Sequence, residues 1–151
     1  MEMPRLWPML GSHSVSTLGV HPVWSTAARQ PTLAPDVDQP LSEFLASKAR
    51  ELGCRAMAVG NADDHLHIVV QYPSTLAVAE LARRLKGASS RQAHVMTWMS
   101  TPLRWQAGYW AESIGAHQLD PLCQYVPTQR SRHASPTEPA EPWQHAPDPH
   151  E

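Results

Sequence analysis

Apolar residues recur along the chain with two periods, and each period predicts one kind of secondary structure. Alternating or β-branched stretches predict strands over residues 15–26, 55–59 and 65–72, and an extended segment over 104–114 that is broken near Gly108. Apolar residues that return every three or four positions predict helices over 41–52 and 75–86. Asp120-Pro121 is a typical helix start, and the apolar stripe of this last helix is predicted at Leu119, Leu122, Cys123 and Val126.

Proline and glycine positions refine these predictions. Pro22 lies inside the first strand, and because proline cannot donate a ladder hydrogen bond it predicts an edge strand or a bulge. Gly53 predicts the end of the first helix, and Gly87 predicts the end of the second. Pro127 predicts that the last helix kinks or stops, because an interior proline removes a hydrogen bond and clashes one turn back.

The order of the elements predicts an α+β fold. Strand, helix, strand, strand, helix and strand follow one another, which is the split βαβ pattern of an antiparallel sheet with both helices on one face. An extra C-terminal helix follows this unit and carries Tyr125.

Composition indicates one folded domain between two polar ends. We expect a flexible N-terminus over residues 1–12, a folded body over 13–133 and a disordered tail, rich in proline and acid, over 134–151. No apolar run approaches the roughly 20 residues of a membrane helix, and no secretory signal is visible. Cys54 and Cys123 are expected to be reduced thiols, which indicates a cytoplasmic protein with no membrane partner.

The formal charge of −2 at first argues against a nucleic-acid partner. The charge is unevenly distributed, however, because the last 18 residues hold four of the 14 acidic side chains and no lysine or arginine. The other 133 residues therefore carry 12 basic and 10 acidic groups. This mildly basic balance allows a local phosphate-binding patch, and charge alone leaves the partner open.

The clearest candidate chemistry lies on the strand that begins at His65. Side chains alternate between the two faces of a strand, so Leu66 and Ile68 are predicted to point into the core, and His65 and His67 to point together to the opposite, uncovered face. Two imidazoles two residues apart are well placed to bind one metal ion. The alternative is a pair of histidines on a solvated sheet face.

Tyr125 and Gln129 lie four residues apart on the last helix and share one of its faces. A helix that lies across the histidine face would bring the phenol to the metal, and Gln129 would supply a third, oxygen ligand. A phenol has a pKa near 10 and is a poor nucleophile until a metal or a base assists it. The alternative is a boundary tyrosine beside a solvated glutamine.

A basic stretch lies where the second helix is predicted to end. Charged side chains, hydroxyls and free backbone amides there are candidate phosphate contacts, namely Arg83, Arg84, Lys86, Ser89, Ser90 and Arg91. The alternative is an ordinary solvated helix end. Trp105 and its neighbours Trp98, Tyr109 and Trp110 can stack on DNA bases, although aromatic residues more often belong to the core.

These segments, in this order, resemble the REP-associated tyrosine transposases, and more broadly the single-tyrosine insertion-sequence transposases of the HUH class. The matching stretches are residues 21–26, 64–69, 81–90 and 105–109, and they end with Tyr125, Gln129, Arg130 and His133. The resemblance covers about residues 13–133, which is nearly the whole predicted body.

The resemblance implies a ferredoxin-like fold, usually in an intimate homodimer, and an Mg²⁺ or Mn²⁺ ion held by His65, His67 and Gln129. It implies that Tyr125 is the nucleophile of an endonuclease and strand-transferase for single-stranded DNA with a hairpin, such as a repetitive extragenic palindrome. Attack on the phosphate would give a 5′-phosphotyrosine and a free 3′-OH.

Two other classes of function stay open. The first is a catalytically impaired relative that binds hairpin single-stranded DNA without cutting it, since Pro127 is expected to displace Gln129. The second is a ferredoxin-like ligand-binding or protein-interaction domain in which the histidines are incidental.

Overall fold

The structure is a computed structural model of the chain, and it describes residues 16–128 and residue 130. The ends expected to be flexible or disordered, residues 1–12 and 134–151, lie outside the described residues. Gln129 and His133, which complete the resemblance, lie outside them too.

Four antiparallel strands form one sheet. They are β1 (Gly19–Ser25), β2 (Arg55–Asn61), β3 (His65–Gln71) and β4 (Trp110–Ile114). The spatial order is β2-β3-β1-β4, so β3 fills the gap between β1 and β2. This is the split βαβ topology that the order of elements predicts.

Two helices cover one face of this sheet. They are α1 (Asp38–Glu51) and α2 (Val78–Val95). The core between them and the sheet is built from side chains of β1, β2 and β3, including Leu66, Ile68 and Val70 of β3. Both cysteines are free thiols, and burial raises the pKa of the Cys54 thiol to about 11. None of the described helices is both long and apolar enough to cross a lipid bilayer.

The second helix does not end at Gly87, and that prediction is wrong. Helix α2 continues to Val95, because Ser89 and Ala93 extend the buried row that Leu81 and Leu85 begin at four-residue spacing. Burial of this row outweighs the roughly 1 kcal/mol that a glycine costs inside a helix.

Pro22 lies in an internal strand, so the edge-strand prediction is also wrong. Strand β1 pairs with β3 on one side and with β4 on the other. The register is unbroken across the proline, since Val20 pairs with Val70 and Val23 pairs with His67, and no bulge forms there. Strand β4 is shorter than the extended segment predicted over 104–114, of which Trp105 forms only an isolated bridge with Thr26.

The last helix, α3 (Leu119–Tyr125), lies on the opposite face of the sheet. Its α-helical pattern ends at Tyr125, and Val126–Thr128 forms a 3-10 turn that contains Pro127, so the predicted stop near this proline is confirmed. The predicted apolar stripe is confirmed as well, because Leu119 and Val126 are buried against Val69 of β3.

Candidate functional site

His65 and His67 point away from the core formed by Leu66 and Ile68, as the alternation of the strand predicts. The prediction that their face is uncovered is wrong. The exposed fractions of the two side chains are 1% and 0%. Helix α3 and the turn after it pack on this face of the sheet, and the histidines are buried on the side of the sheet that faces away from α1 and α2.

A carboxylate fixes the first imidazole. His65 Nδ1 donates to Asp64 Oδ1 at 2.7 Å, and Arg29 Nε donates to Asp64 Oδ2 at 2.9 Å. Burial alone would raise the pKa of Asp64, but the hydrogen bonds from His65 and Arg29 outweigh it and lower the pKa to about 2. Asp64 is therefore ionised at neutral pH and holds the ring of His65 in one orientation.

A third histidine, His21 of β1, fixes the second imidazole, and the sequence reasoning missed it. His21 Nε2 and His67 Nδ1 are joined by a hydrogen bond of 2.9 Å, and the two ring centroids are 5.1 Å apart. Burial lowers the pKa of His21 to about 4, so the ring is neutral at pH 7. A signal in the sequence was available. His21, Val23 and Ser25 are two residues apart, so they point to the same face of β1, and the split βαβ order places β1 beside β3.

The histidines fit a divalent metal as part of a ligand set. The rings of His65 and His67 lie 5.1 Å apart, and each is oriented by a hydrogen bond at Nδ1. This is the arrangement in which Nε2 serves as the ligand atom and a carboxylate or a second polar group behind it fixes the ring. Within the described ranges no three His, Cys, Asp or Glu side chains are grouped to hold a metal ion. The third predicted ligand, Gln129, lies outside those ranges.

Tyr125 lies on the same face of the sheet as the histidines. It is half-buried and packs with Leu122 and Val126 in the cluster around Val69, which is two residues from His67 along β3. The phenol lines a cavity of about 350 Å³ beside Glu112 and His117.

His65 lines a different cavity of about 500 Å³, together with Arg29, Asp64 and Arg130. The structure thus brings the three histidines together and places Tyr125 farther along the same face, beside Val69.

The candidate phosphate contacts do not form a helix end. Residues 83–91 lie inside α2, so their backbone amides belong to the helix. Arg83 and Arg84 are exposed and both pair with Glu80, at 2.6 Å and 2.9 Å. Ser90 and Arg91 also lie on α2, where the Ser90 hydroxyl donates to the Gly87 carbonyl.

Two of these residues, Lys86 and Ser89, instead tie α2 to the segment before β4, which includes Trp105. Lys86 Nζ donates to the carbonyls of Gln106 and Gly108, both at 2.7 Å. Trp105 Nε1 donates to Ser89 Oγ at 2.9 Å, and Ser89 is fully buried. These contacts stabilise the fold, and they keep Ser89 away from any DNA phosphate.

The other aromatic residues divide between core and surface. Trp98 and Trp105 pack against the core, edge-on to Phe44 and Trp24 respectively. Trp110 meets His21 edge-on, with ring centroids 5.7 Å apart. Tyr109 is the exposed member of this group.

Comparison with known proteins identifies the family. The family model described as "Transposase IS200 like" matches residues 14–129. The chain belongs to the IS200-like transposase family. The match spans every described strand and helix, and it includes His65, His67 and Tyr125.

Individual relatives of this IS200-like transposase agree with the match. The ISDra2 transposase TnpA of Deinococcus radiodurans is 25% identical over 103 residues, which cover 68% of this chain and 74% of that one. A crystal structure of a candidate transposase from Deinococcus radiodurans R1 has a TM-score of 0.64 at 23% identity, and covers 82% of this chain and 98% of its own.

A REP-associated tyrosine transposase bound to a REP hairpin has a TM-score of 0.58 at 14% identity. It covers 84% of this chain and 74% of its own. The two structural matches confirm the α+β fold, and the family match makes the chain a DNA-processing transposase.

Proposed function

We propose that the chain is a metal-dependent endonuclease and strand-transferase that cuts single-stranded DNA through a 5′-phosphotyrosine at Tyr125. The single observation that supports this most is the placement of the phenol on the histidine face of its own sheet, in the cluster around Val69. Tyr125 of α3 is distant in sequence from His65 and His67 of β3, and packing of α3 against the sheet puts all three on one face.

The hydrogen bonds of the histidines support a role as metal ligands. His65 and His67 would hold Mg²⁺ or Mn²⁺, with Gln129 as the further ligand that the family resemblance implies. Asp64 and His21 orient the two rings from behind. When bound, the ion supplies a positive charge that draws electrons from a phosphate oxygen and orients the phosphate.

The cleavage step belongs to Tyr125. The phenolate oxygen attacks phosphorus, the new bond joins Tyr125 to the 5′-phosphate, and the bond from phosphorus to the 3′ oxygen breaks. The departing oxygen takes a proton and becomes a free 3′-OH, and attack by a 3′-OH reverses the step and joins strands. Catalytic contacts often tighten only when substrate is bound, so the two separate cavities are compatible with this chemistry.

The DNA partner and the assembly are proposals of the same kind. We expect a hairpin with single-stranded flanks, since one structural relative is bound to a REP hairpin. Arg83, Arg84 and Arg91 are the exposed cations of the predicted basic stretch and are expected to meet phosphates. A homodimer and a cytoplasmic location remain expectations from the sequence.

A covalent-adduct assay tests the proposal. Labelled single-stranded hairpin DNA is mixed with the protein and Mn²⁺ and run on a denaturing gel, where we expect a protein-bound band. Tyr125→Phe should abolish the band, and so should His65→Ala or excess chelator, with the fold retained by circular dichroism. Tyr109→Phe is the matched control, because Tyr109 is an exposed tyrosine outside the cluster, and it should keep the band.

The outcomes separate the candidate functions. A native-gel shift with no covalent band in any condition would support the impaired relative that binds hairpin DNA without cutting it. The 3-10 turn at Pro127 favours this alternative. No effect on DNA at all would leave the ligand-binding or protein-interaction domain.

A further inference from the structure

A cavity of about 760 Å³ lies between the segment that leads into α1 and the turn that follows α2. Pro31, Thr32 and Asp36 line it on one side, and Trp98 and Thr101 line it on the other. This cavity is lined by different residues from those around Tyr125. The proposed cleavage step does not use this cavity.

The walls of this cavity are held by the core. Trp98 packs against the core and meets Phe44 edge-on at 6.1 Å, and its backbone N–H donates to the carbonyl of Ala93 at 3.1 Å. Val37, on the other wall, is buried. The indole is therefore fixed in place while part of it stays open to the cavity, which suits a surface that receives a flat ring.

The polar groups of the cavity select against a phosphate. Among its described lining residues there is no lysine or arginine, and Asp36 is its only charged side chain. A carboxylate repels a phosphate and accepts hydrogen bonds from an amino group. Thr32 and Thr101 add hydroxyls that donate or accept. The chemistry fits a neutral, planar ligand with an N–H₂ donor.

The position of the cavity connects it to the histidines. Pro31 lines both this cavity and the 500 Å³ cavity that His65 lines, so the two cavities are neighbours. A DNA strand that entered both cavities would therefore cross Pro31 between them.

We propose that this cavity, the Trp98 cavity, binds one unpaired base of the single-stranded DNA and favours bases with an exocyclic amino group. The base stacks against Trp98, and its amino group donates to Asp36. Adenine, cytosine and guanine carry such a group and thymine does not, so the cavity reads one position of the strand beside the cut. The inference rests on the proposed function, since it assumes a single-stranded DNA substrate.

Thymine scanning tests the proposal. Fluorescent hairpins with four-nucleotide flanks are bound to the full chain carrying Tyr125→Phe, so that the strand is not cut, and each flank position is changed to thymine in turn. We expect one position at which thymine weakens binding on the order of tenfold.

Asp36→Asn should remove that preference, because an amide donates as well as accepts and can bind a thymine oxygen. Affinity for a hairpin without flanks should stay the same, and Trp98→Phe should keep the preference. Glu43→Gln is the matched control, since Glu43 is an exposed carboxylate of α1 outside the cavity, and it should keep the preference.

The possible results distinguish this proposal from the proposed function. Equal binding of all flank bases, or a preference that survives Asp36→Asn, would overturn the Trp98 cavity as a base site even if the Tyr125 adduct forms. Absence of both the adduct and hairpin binding would overturn the proposed function and this inference together.

Discussion

At the residue scale, the arrangement of the site depends on polar groups behind the candidate ligands. Sequence alternation correctly placed His65 and His67 together, because the two-residue period of a strand is insensitive to context. Alternation alone did not place His21, since the face that it shares with Val23 and Ser25 becomes informative only when the split βαβ order sets β1 beside β3. Nor could it show that the face is covered, because burial there depends on how the distant α3 packs.

The contact between His21 and His67 yields a prediction at this scale. His21→Leu removes the hydrogen bond to His67 Nδ1 that helps to orient this ring. We expect Mn²⁺ affinity to fall by about 10- to 100-fold, as for other groups that orient a metal-binding histidine. Titration of Mn²⁺ by electron paramagnetic resonance measures this. His94→Leu is the control, because His94 is exposed on α2, and an equal loss of affinity in both variants would refute the role of His21.

At the element scale, local signals fixed most helices and strands, and they failed where tertiary burial outweighed them. Gly53 ends α1 as predicted, with a left-handed φ of 76°. Gly87 carries the same signal, but α2 continues past it because Ser89 and Ala93 are buried in the following turns. Pro22 is tolerated inside the sheet, although proline usually lies at sheet edges.

Replacement of Gly87, the glycine inside α2, is expected to stabilise the fold. Gly87 is exposed, and a Cβ placed on it would meet nothing within 4 Å. Gly87→Ala should therefore raise the free energy of unfolding by about 0.5 to 1 kcal/mol, because alanine loses less backbone entropy in a helix. Urea denaturation measures this. A lower stability would mean that α2 does not run through residue 87.

Arg130 fastens the segment after α3 to the rest of the molecule. Its guanidinium binds both carboxylate oxygens of Asp38, at 2.7 Å and 3.0 Å, and it also binds Asp63 and the Leu33 carbonyl. The group is partly solvated, so Arg130→Ala should cost about 1 to 2 kcal/mol and speed chymotryptic cleavage after Tyr125. Arg84→Ala removes only an exposed pair with Glu80 and should change neither quantity much.

At the scale of the whole molecule, the packing of α3 on its own sheet predicts that a chain uses its own tyrosine. Mixing Tyr125→Phe with His65→Ala should then give no covalent adduct, because neither chain has both groups. Recovery of the adduct in the mixture would show that the tyrosine serves a partner's histidines. Light scattering of the wild-type protein would test the expected homodimer at twice the 16.8 kDa chain mass.

The most direct test of the central claim is peptide mapping of the DNA adduct by mass spectrometry. The protein is incubated with single-stranded hairpin DNA and Mn²⁺, digested with nuclease and protease, and searched for nucleotide-modified peptides. We predict a 5′-phosphonucleotide on Tyr125 that is absent when His65 is replaced by alanine. A modification on another residue, or none while the DNA is still cut, would contradict the account.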